Sequence, residues 1–256
     1  MTIVVPSLLG GLGNQLFEVA AAYAYAVDHG ATLTLAKNWA IDNPHSSQNY
    51  FDTVFSMFPR VRAVMPDGIY QEQPRNCTRY VEMPDGLGEG SHVLYGFFQN
   101  ERYFAKHKRS FLDMLRLPQV PQRPDACFVH VRRGDYLSIA LHSVDLSAYY
   151  PRAIEYVRSK RKNVRFVVFS DDIEWCKRQP WLDSFEFDED PDEVRALCSM
   201  AACQVGGICA NSSYSWWGAY MNRSKDKIVT FPDTWFTDPG YANEIAFEGS
   251  TLISCQ

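Results

Sequence analysis

Short apolar runs alternating with helical stretches constrain this chain more than any other feature. "TIVV", residues 2–5, reads as a strand, "GGLGNQ" at 10–15 as a glycine-rich turn, and the Ala-rich stretch after it as a helix from about Gln15 to Asp28. His29 and Gly30 stop that helix, and "ATLTLA", residues 31–36, alternates as a second strand. From Asn38 to about Pro124 the pattern weakens into aromatic and Pro/Gly-punctuated segments, with one better helix expected over "ERYFAKHKRSFLDMLRL", residues 101–117. The proline-rich "LPQVPQRPD", residues 117–125, is the candidate linker.

After the linker the rhythm returns. Strand "CFVHV" (127–131) leads to a helix around Leu146–Arg158, then strand "VRFVVFS" (164–170) and a helix from Asp172 through Lys177. There follow "SFEF" (184–187), a helix opening at "DPDEVRAL" (190–197), the apolar "QVGGICA" (204–210), a helix begun by "NSSYSWWGAY" (211–220), and "KIVTF" (227–231). Strands that alternate with helices pair in parallel through right-handed crossovers, so the expected class is α/β. Two Rossmann-like halves facing a cleft fit this order, with ligands at the carboxyl ends of the strands.

Composition narrows the function. With 256 residues, 46% of them hydrophobic, the chain has ample material for a core. A net charge of −5 argues against the broad basic face that nucleic-acid binding requires. Seven cysteines, an odd number without a C-x-x-C pair, suggest neither a zinc site nor a disulfide framework. "MTIVVPSLLGG" has no basic n-region, and Pro6 and a glycine pair break its apolar stretch, so no signal peptide or membrane anchor is expected and the cytoplasm is the default.

Within that pattern, "HVRRGDY" puts His130, Arg132 and Arg133 at the end of a predicted strand, with Asp135 near enough to orient a guanidinium. Paired guanidiniums at a strand end call for an anion, because arginine recognises phosphate oxygens through a planar, bidentate fork. "FSDDIEW" brings Ser170, Asp171 and Asp172 to the end of another strand, where one carboxylate caps a helix and the other is available to a ribose hydroxyl or a guanine edge. Asn211, Ser212 and Ser213 offer helix caps or phosphate donors, and Trp216 and Trp217 read as core. Asn14 stands at the mouth of the first helix. The turn there fails the dinucleotide fingerprint, since Leu16 occupies the sixth position, so NAD is not expected. "DED" at 188–190 reads as a helix-start feature, not as a metal site.

"GGLGNQLFEVAAAYAYA", "HVRRGDY", "FSDDIEWCK" and "NSSYSWWGAY", in this order, resemble the α-1,2-fucosyltransferases of glycosyltransferase family 11. The resemblance implies a GT-B-like fold, with residues 1–120 as a Rossmann-like acceptor-side domain and 125–256 as a Rossmann-like domain that binds the GDP-sugar. It implies transfer of L-fucose from GDP-fucose, with inversion and without cofactor or obligatory metal, to a galactose-containing glycan acceptor, at O2 of the galactose. Arg132 and Arg133 would clasp the diphosphate, His130 would lie near the nucleotide, Asp171 or Asp172 would bind guanosine, and Ser212 and Ser213 would contact phosphate. Asn14 would lie beside the sugar–phosphate bond.

Two departures stand out. The chain is short for the family and no anchor or stem like that of its Golgi members is expected, so it resembles the soluble bacterial or viral type. Where α-1,6 relatives offer a glutamate as base, this chain reads "YLSIALHSVD", which leaves Asp135, His142 and Asp145 as candidate bases. The segment from Asn38 to Gly96 is the expected seat of acceptor specificity. A non-catalytic sugar-nucleotide-binding protein and a fucosyltransferase of another linkage remain the alternatives.

Overall fold

The computed structural model describes residues 1–40 and 49–256. Residues 41–48, part of the segment expected to set acceptor specificity, lie outside the described residues. The chain divides into two compact units, one of residues 1–116 with 240–245, the other of residues 117–239 with 246–256. The return of 240–245 to the first unit has no counterpart in the division at 120–125. Thr78 holds it by donating its hydroxyl to the Ala242 carbonyl at 2.6 Å.

The first unit opens with β1 (Thr2–Pro6) and α1 (Leu12–Asp28), then β2 (Thr32–Leu33), β3 (Leu35–Ala36), β4 (Arg60–Val61), β5 (Gly68–Gln71), β6 (Gly90–Tyr95) and α2 (Lys108–Asp113). Its main sheet has the order β2-β1-β6-β5, parallel throughout. The sides of α1 bury Leu16, Phe17, Val19 and a run of alanines, whose small side chains let the helix sit close to its neighbours. Gly30, at φ +62°, ends it as the sequence indicates.

"ATLTLA" is not one strand. The Thr34 N–H bonds the Val4 carbonyl, but Leu35 turns to Pro59, so β2 extends the main sheet and β3 pairs with β4 in a separate ribbon. The helix expected over 101–117 is also broken. Two 3₁₀ turns precede a short α2, because Tyr103 donates to the Arg79 carbonyl and Phe104, at φ −142°, turns its ring edge onto Phe17 at 5.8 Å. Tertiary packing of two aromatics overrides local helix preference.

The second unit holds β7 (Ala126–Val131), α3 (Tyr149–Lys160), β8 (Arg165–Ser170), α4 (Ile173–Cys176), β9 (Glu186–Phe187), α5 (Glu193–Ala201), β10 (Gly206–Ile208), α6 (Ser213–Met221), β11 (Ile228–Pro232) and β12 (Thr251–Ile253). The sheet order is β12-β11-β10-β7-β8-β9, again parallel in every pairing. The α/β class with two Rossmann-like halves is therefore observed. Side chains alternate along β7. Cys127, Val129 and Val131 join one core with Tyr149, Ala153 and Val157 of α3, and His130 meets Tyr214 of α6 across the other face. Trp216 and Trp217 are fully buried, as core residues.

The glycine pair in β10 allows close approach of its neighbours. A β-carbon on Gly207 would run into the Phe128 ring, whereas one on Gly86 would meet no atom within 4 Å. Overpacking of this kind costs about 1–3 kcal/mol, and each kcal/mol lowers the melting temperature of a chain this size by about 2–4 °C. Gly207→Ala is therefore expected to melt several degrees lower, and lower than Gly86→Ala. The reverse order by calorimetry would contradict this packing.

Candidate active site

Strand register brings the site together. β7 and β8 pair with Val131 opposite Ser170, so the residues that follow each strand, Arg132-Arg133 and Asp171-Asp172, emerge side by side at the carboxyl edge of the sheet. Gly134 completes the turn. A β-carbon there would collide with Asp171 Oδ2, so the glycine makes room for a carboxylate.

The two arginines are held differently. Arg132 uses both terminal nitrogens on carboxylates: Nη1 lies 2.8 Å from Asp171 Oδ2, and Nη2 pairs with Asp135 Oδ1. Its guanidinium also lies 5.2 Å from the Tyr136 ring centre. Arg133 donates its backbone N–H to Asp171 Oδ1 at 2.9 Å and its Nε to Asp172 Oδ2 at 3.0 Å. Its terminal nitrogens make no hydrogen bond or ion pair among the described residues. Turning Arg132 toward an anion would break two charge-assisted bonds, whereas Arg133 has a two-nitrogen edge to offer without breaking any.

Asp172 also caps α4, its Oδ1 accepting the Trp175 N–H at 3.0 Å, so one carboxylate serves both the helix and Arg133. The bonds from Arg133 and Trp175 hold its carboxyl below the usual range. Asn211 is spent on structure: its amide donates to the carbonyls of His142 and Trp235 at 3.0 and 3.1 Å. Ser212 is the N-cap of α6 but makes no side-chain cap, and its backbone carbonyl accepts the Trp216 N–H at 3.1 Å. Ser213 begins the helix.

His130 is buried, and its Nδ1 meets no hydrogen-bond partner among the described residues. Burial, reinforced by the Arg132 charge, lowers its pKa to about 3, so the ring is neutral at ordinary pH. Of the candidate bases, Asp135 is engaged by Arg132, Asp145 accepts the Ser147 N–H in an exposed local turn, and His142 stacks on Tyr136 at 4.9 Å. In "DED", Asp188 pairs with Arg123 at 2.7 Å and Asp190 with Arg195 at 2.9 Å, ahead of the Asp192 cap of α5.

Asn14 belongs to the first unit. Gly10, at φ +65°, leaves room for its amide, and Gln99 Nε2 donates to its Oδ1 at 2.9 Å. The loop that carries Gln99 is tied down by Glu72, whose carboxylate accepts the Phe97 and Phe98 N–H groups. Burial raises the Glu72 pKa to about 7 against those bonds. Glu18, on the next turn of α1, accepts the Leu9 N–H at 2.8 Å, and burial raises its pKa well above the carboxylate range. Sequence reasoning missed Gln99, Glu72, Glu18 and Trp175. Only Glu18, a charge in an apolar helix, carried a signal.

The His130 pKa sets a pH dependence. Unfolded, the ring gains a proton near pH 6.5; folded, it stays neutral to about 3, so its contribution to stability is present above 6.5 and is lost as pH falls. Between pH 6.5 and 5 this amounts to about 2 kcal/mol, and His130→Gln should show a correspondingly shallower fall in denaturant midpoint. Parallel curves for the two proteins would place His130 in a solvated environment.

Residues 77–249 match the family model described as glycosyl transferase family 11. The chain is 32% identical to an α-1,2-colitosyltransferase of Escherichia coli, over 92% of this chain and 93% of that protein. It is 38% identical to the human galactoside α-(1,2)-fucosyltransferase 1 over 52% of this chain and 40% of that one. In fold it resembles the fucosyltransferase NodZ from Bradyrhizobium, with a TM-score of 0.54 and 15% identity over 84% of this chain and 92% of that structure. The NodZ α-1,6-fucosyltransferase co-crystallized with GDP gives 0.55 and 16%, over 84% and 91%. The GT-B-like α/β fold is shared.

Proposed function

The chain belongs to glycosyl transferase family 11, and from that premise we propose that it is an inverting fucosyltransferase that moves L-fucose from GDP-fucose to O2 of a galactose in a glycan acceptor. The observation that carries this reading is the uncommitted edge of Arg133 at the carboxyl end of the second sheet. In the transfer, the acceptor oxygen bonds the anomeric carbon as the bond to the diphosphate breaks, the hydroxyl proton passes to water, and GDP leaves with the electron pair. Negative charge grows on the leaving oxygen, and a fixed guanidinium stabilises it without reorganising. Arg132 and Asp135 keep the turn in shape, Asp171 and Asp172 hold the arginines, and His130, Ser212 and Ser213 line the nucleotide side.

Neither a cofactor nor a divalent cation has a part in this scheme, because Arg133 supplies the positive charge. Among the described residues no helix is long and apolar enough to cross a membrane, and all seven cysteines are free thiols, which suits the reducing cytoplasm. A second reading concerns the donor sugar. The 32% identity to an α-1,2-colitosyltransferase along nearly the whole chain favours a colitosyl group in place of fucosyl.

Incubation with GDP-fucose or GDP-colitose and galactose-terminated oligosaccharides tests both readings. GDP release with a new 1,2-linked sugar is expected, and the donor that gives it decides the sugar. Binding of GDP without release under any acceptor would make the chain a sugar-nucleotide-binding protein. Activity in EDTA should stay within about twofold of the untreated rate, since a guanidinium stands where a cation would. A strict Mn²⁺ or Mg²⁺ requirement would overturn the role given to Arg133.

A further inference from the structure

Arg133 touches one more group, to which the scheme above gives no role. Its guanidinium carbon lies 3.8 Å from the centre of the Trp175 ring. The same tryptophan is tied to Asp172, which accepts the Trp175 backbone N–H with Oδ1 and the Arg133 Nε with Oδ2, each at 3.0 Å. Trp175 also packs against the apolar core of the second unit, so the ring has a firm backing. The three residues form a closed clamp. A ring beneath one face fixes the tilt of a guanidinium, and a carboxylate on the Nε edge fixes its rotation in the plane. The remaining edge, with its two terminal nitrogens, is then aimed in one direction.

We propose that Trp175 is a positioning residue for the transfer reaction, acting through Arg133 by holding the free edge of its guanidinium toward the departing diphosphate. The inference rests on the proposed function and adds a residue that does not itself touch the substrate. An aromatic placed solely to fill the core would tolerate an aliphatic of similar reach. An aromatic that aims a cation would not, because the attraction of the ring face for the guanidinium goes with the π-system.

A double-mutant cycle separates these cases. GDP affinity by calorimetry, GDP release with a galactose-terminated acceptor, and melting temperature are measured for the wild type, Trp175→Met, Arg133→Ala and the double variant, with Trp175→Phe alongside. Trp175→Met is expected to weaken GDP binding and to lower turnover, together by about 3- to 30-fold, the range of a partly desolvated cation–π contact. It should have no further effect once Arg133 is alanine, and Trp175→Phe should recover most of the loss. Equal losses from Trp175→Met in both backgrounds would overturn the proposal, as would a Phe variant as impaired as Met at an unchanged melting temperature. If Trp175→Met does not fold, Trp175→Leu serves the same cycle. If Arg133→Ala leaves GDP affinity and turnover intact, the assignment of Arg133 itself falls, and the role of Trp175 falls with it.

Discussion

The parallel pairing of β7 with β8 is the constraint on which the rest of the second unit depends. Val129 and Val168 face each other in register and are fully buried, each contributing about 1.5–3 kcal/mol by leaving water. The ion pair at the end of these strands, Arg133 with Asp172, is partly exposed, and such pairs contribute about 0–1 kcal/mol. The hydrophobic register therefore places the charges, not the reverse. A slip of one residue would turn Cys127, Val129 and Val131 away from α3 and separate Arg132 from Asp171.

What the sequence made legible follows from that order of causes. The apolar runs of β7 and β8 and the buried alanines of α1 are strong local patterns, and they appear where the periodicity puts them. "ATLTLA" and residues 101–117 went otherwise because their partners are distant: Pro59 draws Leu35 out of the main sheet, and Phe17 draws Phe104 out of a helix. In the site, the pairing of Asp135 with Arg132 is a contact three residues apart and could be read from spacing. The division of labour between the arginines could not, since it is set by Asp171, Asp172 and Trp175, which reach the pair only through the sheet. Ser212 shows the same limit. Its position promised a cap or a phosphate donor, and in the fold its side chain makes no cap.

The first unit prepares Asn14 by a longer chain of contacts. Glu72 stands just past β5 and holds the loop after β6, where Phe98 adopts φ +49°, a conformation that a bulky residue rarely takes unaided. That loop delivers Gln99 to Asn14, so the asparagine enters any reaction with its Oδ1 already committed and its amide plane set. Neither Glu72 nor Gln99 lies near Asn14 in sequence, which is why the turn motif alone did not point to them.

The central claim is that Arg133 meets the diphosphate while Arg132 braces the turn. Calorimetric titration of GDP and of guanosine into the wild type, Arg132→Lys and Arg133→Lys tests it most directly. A lysine keeps the charge but not the planar fork. Arg133→Lys is expected to weaken GDP binding, leave guanosine binding unchanged and melt like the wild type, and Arg132→Lys to lower the melting temperature. Loss of GDP affinity confined to Arg132→Lys, or none in either variant, would contradict it.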